Sequence, residues 1–126
     1  MLSVCRKKCN FVPVKIKDVV MNKKDQEILT RIREVAHRSL PKGARAVLYG
    51  SHARGDAHQG SDWDILILLD KEKLEDSDYT YISYPFVMLG CDINEEINPI
   101  MYTKKEWNQF HFTPFYENVE HDGVQL

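Results

Sequence analysis

Gly50-Ser51-His52-Ala53-Arg54-Gly55, and then Ser61-Asp62-Trp63-Asp64-Ile65, is the stretch that decides how this chain is read. Ala46 to Tyr49, just before it, is almost continuously apolar and predicts a strand over 44–49. Gly50, Ser51, Gly55 and Gly60 then break the strand with a small-residue loop. A glycine–serine turn after a strand presents free backbone N–H groups, and glycine lets a phosphate come close to the main chain. The Ser51 hydroxyl adds a donor and Arg54 a charged fork for phosphate oxygens.

The second half of the stretch adds two carboxylates. Trp63 to Leu69 contains an unbroken apolar run from Ile65, as expected of a central strand covered on both faces. On a strand, residues i and i+2 share a face at about 6.6 Å, from a rise of roughly 3.3 Å per residue. Asp62 and Asp64 therefore converge on a space that suits one or two divalent cations, whose paired catalytic form sits about 3.5–4 Å apart. Trp63 points the other way, into the core. Leu66 and Leu68 continue the aspartate face into the interior, so the acids stand where an apolar strand begins and uncompensated charge is costly.

Working outward, Ile28, Leu29, Ile32, Val35, Ala36 and Leu40 recur at helical spacing, with Asn22 as N-cap and Pro41 and Gly43 as the stop. Lys71 to Asp78 reads as a polar loop or a helix start. From Tyr79 to Cys91 the spacing of Tyr79, Ile82, Phe86 and Leu89 favours a helix, although Pro85 and the Tyr/Thr content lean toward strand. A strand is expected over 97–103, at an edge because of Pro99. A short helix should begin at Lys104. Thr113-Pro114 opens a last helix that stops at Gly123. Phe110, Phe112, Phe115 and Tyr116 cluster there and read as a helix packed on a sheet, with base stacking as the alternative. His52 and His58 read as surface loop residues.

The chain has 126 residues, 43% hydrophobic and 29% charged, with 6 Gly and 5 Pro, which excludes a disordered or collagen-like protein. One domain is expected over 22–126, with residues 1–21 as an extension in which VPVKIKDVV forms a strand or a surface arm. No apolar run reaches the 18 or so residues that a membrane span needs, and no signal-peptide pattern follows the basic residues near Met1, so a cytoplasmic location is expected. Three cysteines, an odd number, fit reduced thiols; Cys5 and Cys9 lack a matching pair for zinc. The net charge of −2 gives no general affinity for nucleic acid, and direct binding to it is not expected. Charge is nevertheless divided: residues 1–60 carry 13 basic and 5 acidic side chains, residues 61–126 carry 4 and 14.

Taken together, Gly50-Ser51-x-x-Arg54-Gly55 and Ser61-Asp62-x-Asp64-Ile65 resemble the nucleotidyltransferase signature of the DNA polymerase beta superfamily. The chain length and the helix before Ala44 fit its minimal nucleotidyltransferase group. The resemblance runs from about Met21 to Thr103, and the TPFYENV helix is similar as well. It implies an α/β nucleotidyltransferase fold: a small mixed twisted sheet of three or four strands with helices mainly on one face. It also implies that Gly50 and Ser51 hold the β- and γ-phosphates of an NTP, with ATP the expected donor. Arg54 and Ser61 complete the binding set, and Asp62 and Asp64 ligate Mg²⁺. The group uses a third carboxylate on a later strand. The register of IMYTKKEW puts Asn98 there, and an amide cannot act as a base. Glu96, two residues earlier, is the expected substitute and Asp92 a more distant one. The implied activity is transfer of NMP to a hydroxyl, on a helical HEPN-type toxin partner that this chain neutralises as an antitoxin, or on a second copy. The alternative is a catalytically weak or inactive module that binds and masks a partner.

Overall fold

The computed structural model describes residues 21–126; the expectations for residues 1–20, including the Cys5/Cys9 spacing, lie outside the described residues. Helix α1 spans Lys23–Ser39. The Asn22 side chain accepts from the Asp25 N–H at 2.8 Å and so satisfies one of the open donors at the helix start. Its buried stripe, Ile28, Leu29, Ile32, Val35 and Ala36, is the one that the spacing predicts.

Strand β1 (Arg45–Tyr49) leads through Gly50 into a single helical turn, α2 (Ser51–Arg54). Strand β2 spans Trp63–Leu69. A continuous helical stretch follows in three parts: α3 (Asp76–Asp78), a π-helical turn (Tyr79–Ser83) and α4 (Tyr84–Ile93). Pro85 has no N–H to give to the preceding turn. The wide turn just upstream, closed by Tyr84 N–H to Tyr79 O, absorbs that break without ending the helix. Strand β3 (Ile97–Thr103), α5 (Lys104–Gln109), α6 (Pro114–Asp122) and the two-residue strand β4 (Val124–Gln125) complete the chain.

The strands form one mixed sheet in the order β3-β2-β1-β4. β1 is antiparallel to β2 and to β4, and β2 is parallel to β3, with the helical stretch as the crossover. Pro99 does sit on an edge strand. The two long helices cover one face, where Leu48, Trp63, Ile65, Ile67 and Leu69 meet α1 and Phe86 and Leu89 of α4. The short C-terminal helices seal the other, where Val47, Leu66 and Leu68 pack on Trp107 and Val119. Ile65 to Leu69 are at most 2% exposed. Fully burying such a side chain is worth about 1.5–3 kcal/mol, so β2 is the main anchor of both layers.

Candidate active site

Asp62 and Asp64 lie where β2 begins, at the end of the sheet reached by Tyr49 on β1 and Asn98 on β3. The pairing sets Tyr49 opposite Asp64 on one side and Asn98 opposite Asp64 on the other. Trp63 packs among the residues facing α1, so its strand neighbour Asp64 points to the opposite face, the one closed farther along by Leu66 and Leu68. Asp62, one residue before β2, is tied to Asn98, the residue opposite Asp64.

Gly50 supplies the floor. Its φ of 79° and ψ of −158° belong to a region open to glycine, and a Cβ added there would run into the Asp64 carboxylate. A side chain at this position would have to displace that carboxylate and hold a backbone angle that L residues rarely adopt. The first bonds inside α2 run from the Ala53 and Arg54 N–H groups to the Gly50 carbonyl, so the N–H groups of Ser51 and His52 precede the helix ladder. Arg54 is half exposed, with Nε 3.3 Å from Asp56 Oδ2. Ser61 Oγ accepts from the His58 N–H at 2.9 Å and shapes the loop before Asp62.

Asn98 donates from Nδ2 to Asp62 Oδ2 at 3.0 Å. A hydrogen bond from the same amide also favours the charged form of Asp64. That effect loses to two others: burial first, and then the charge of Asp62, push the Asp64 carboxyl above the usual carboxylate range. His52 and Arg54 pull weakly the other way. Burial, and next the nearby Asp64 charge, also push the Tyr49 hydroxyl up to about 12. Negative charge thus accumulates here, and among the described residues no cationic side chain is bonded to either acid. The donor set is two carboxylates and an amide, hard oxygen chemistry that fits a divalent cation such as Mg²⁺. Among the described residues no group of three or more His, Cys, Asp or Glu side chains is placed to hold a metal.

Of the two other candidate acids, Glu96 lies at this end of the sheet and Asp92 away from it. Glu96 falls one residue before β3, where strand alternation is not enforced. It lines a cavity of about 690 Å³ together with Asp25, His52, Ser61 and Glu95. Its carbonyl accepts from the Trp63 N–H at 2.8 Å, which keeps it at the acid-pair end of the sheet. Asp92 lines a groove between α1 and α4, with Arg31 and Arg38.

His52 is a correction. It is buried, not a surface loop residue: its ring stacks on Trp63 at 3.6 Å and Nε2 lies 3.2 Å from the Ser61 carbonyl. Asp25 Oδ2 lies 3.9 Å from its Nδ1. The residue after the glycine–serine turn thereby clamps that turn to the start of β2. The available signal was its place in the turn itself, since a one-turn helix between two core strands has only one exposed side. The aromatic cluster divides: Trp107 is buried with Tyr116 and Phe110 against it, whereas Phe112 is 77% and Phe115 37% exposed.

No curated protein matches this chain. Among solved structures, one described as a toxin–antitoxin with AMP-PNP aligns at TM-score 0.54 and 20% identity over 76% of this chain and 69% of that chain. A mutant of the toxin–antitoxin MntA-HpeT aligns at 0.53 and 20%, over 78% and 70%. At that identity they show a shared fold. The family described as nucleotidyltransferase domain matches residues 29–124, from within α1 to the first residue of β4, and takes in the turn, the acid pair and Asn98. The chain therefore belongs to the nucleotidyltransferase domain family.

Proposed function

We propose that this nucleotidyltransferase moves NMP, with AMP from ATP as the expected case, to a hydroxyl on a partner protein, and that it does so with Mg²⁺ as the antitoxin of a toxin–antitoxin pair. The observation that carries the reading is the acid pair at the start of β2, seated over a glycine whose backbone angle and closeness to Asp64 leave no unstrained room for a side chain. The two solved structures above are each described as a toxin–antitoxin, one of them with AMP-PNP. That supports an adenine nucleotide and a protein partner here; a helical, HEPN-type partner is the expected kind, with a second copy of this chain as the other candidate.

Asp62 and Asp64 would hold the cation, whose chemistry is to polarise the α-phosphate and offset the charge that develops on pyrophosphate. The N–H groups at the start of α2 and the Ser51 hydroxyl bind phosphate oxygens, and Arg54 adds positive charge at the rim. Ser61 sets the backbone that carries Asp62. In the transfer, the acceptor oxygen bonds to the α-phosphorus, the bond to the bridging oxygen of pyrophosphate breaks, and the hydroxyl proton passes to a base. Asn98 accepts no such proton; we assign that role to Glu96, at the same end of the sheet.

Asn98 also favours a second reading, a weak or inactive module that masks its partner, because the amide occupies the place of an acid and bonds to Asp62. Labelled ATP with Mg²⁺, added with and without the protein encoded beside this gene, decides between them. Label on the neighbour supports transfer. Tight association with no label, at any enzyme concentration, supports masking.

A further inference from the structure

The face that carries Asp62 and Asp64 is walled on the β1 side by aromatic rings. Tyr49 stands directly opposite Asp64 in the pairing of β1 with β2. The Phe115 ring meets Tyr49 edge-on at 5.7 Å, and meets Trp107 at 5.4 Å and 90°. Phe115 is thus two side chains away from the acid pair and braced on two sides, yet 37% exposed.

Its backbone is held as well. Phe115 is in the first turn of α6, and Thr113 caps that turn by accepting from the Tyr116 N–H at 3.2 Å. The Thr113 hydroxyl in turn donates to the Phe110 carbonyl at 2.7 Å, tying α6 to α5. An aromatic ring so fixed, partly exposed and joined through Tyr49 to the strand position opposite Asp64, has the properties of a stacking platform: little entropy is lost when a flat ligand settles on it.

We infer that Phe115 is the platform for the nucleobase of the NTP, with Tyr49 as its support. The inference rests on the nucleotidyl-transfer reading and deepens it. A nucleotide with its phosphates at Gly50-Ser51 and its α-phosphate at the acids has its base as the remaining apolar part, and this wall is the aromatic surface continuous with the acid pair. Stacking reads the π-face and no hydrogen-bonding edge, so the site should favour purines over pyrimidines and discriminate little between adenine and guanine.

The test compares Mg·ATP with inorganic tripolyphosphate plus Mg²⁺, titrated into the full chain and into Phe115→Leu and Phe115→Trp. Leucine keeps an apolar side chain against Trp107 and removes the ring, and melting curves report whether each variant folds. Stacking predicts that Phe115→Leu weakens ATP on the order of 10-fold, leaves tripolyphosphate within about 2-fold, and that tryptophan restores ATP binding. Equal losses for both ligands, or no loss for ATP, overturn the platform and leave the transferase reading standing. If the unaltered chain binds neither ligand, the transferase reading fails and the platform fails with it.

Discussion

Asp64 is the residue whose environment is most at odds with its charge. Its carboxyl is raised by burial and by Asp62, so the folded chain holds that proton more tightly than the unfolded chain does. For an acid raised in this way, the stabilising effect is complete below the unfolded value of about 3.9 and is lost as pH rises through the folded one. Asp64→Asn should therefore melt above the parent protein at neutral pH without metal, and the gap should close near pH 4; thermal scans across pH check it. The same substitution should abolish Mg²⁺-dependent NTP binding. Gly50→Ala acts on the same acid from below. Its Cβ would strike the Asp64 carboxylate at a backbone angle that alanine rarely adopts, which predicts a loss of about 1–3 kcal/mol in urea unfolding. For the base, Glu96→Gln should lower turnover by roughly 10²–10⁴-fold with NTP affinity nearly intact, and Asn98→Asp should raise it. Steady-state kinetics that show neither effect would remove both residues from the role.

At the scale of elements, what could be read in the sequence depended on whether one segment determines its own partners. β2 was legible because five consecutive apolar residues admit only a two-sided environment, and α1 because its stripe and its Asn22 cap agree. The stretch from Asp76 to Ile93 was harder: Pro85 argues against a helix unless a wide turn precedes it, and that turn shows only in three dimensions. β4 is two residues long, too short for any periodicity, and exists because β1 offers it an edge. Within the site, a shared face for Asp62 and Asp64 follows from their spacing, whereas their role was read together with the glycine–serine turn upstream. The burial of His52 was not, since it depends on Trp63 lying across the loop, and the contact of Asn98 with Asp62 depends on a parallel register set by residues 36 apart. The cap of α6 gives a prediction at this scale. Thr113→Ala removes the acceptor for the Tyr116 N–H and should cost about 1 kcal/mol of stability, measured by denaturant unfolding.

Among the described residues, 21–126, helices cover both faces of the sheet. α1 and α4 cover one face, α5 and α6 the other, and Arg33 of α1 donates to the Gln125 carbonyl at 3.1 Å, joining the first helix to the last strand. A fragment beginning at Met21 should therefore keep the melting transition of the full chain. A fall of more than about 10 °C, against the roughly 4–8 °C expected per kcal/mol in a domain of this size, would show that residues 1–20 belong to the core. In that closed form no helix among the described residues is long and apolar enough to cross a membrane.

The placement of Pro99 after Asn98 has a chemical consequence over time. Asparagine side chains age to aspartate when the N–H of the following residue attacks the amide and closes a five-membered imide. Proline has no N–H to make that attack. Asn98 is thus shielded from the imide route that would convert it into aspartate. Stored protein should keep its amide at this site, and no new carboxylate should arise beside Asp62 by that route.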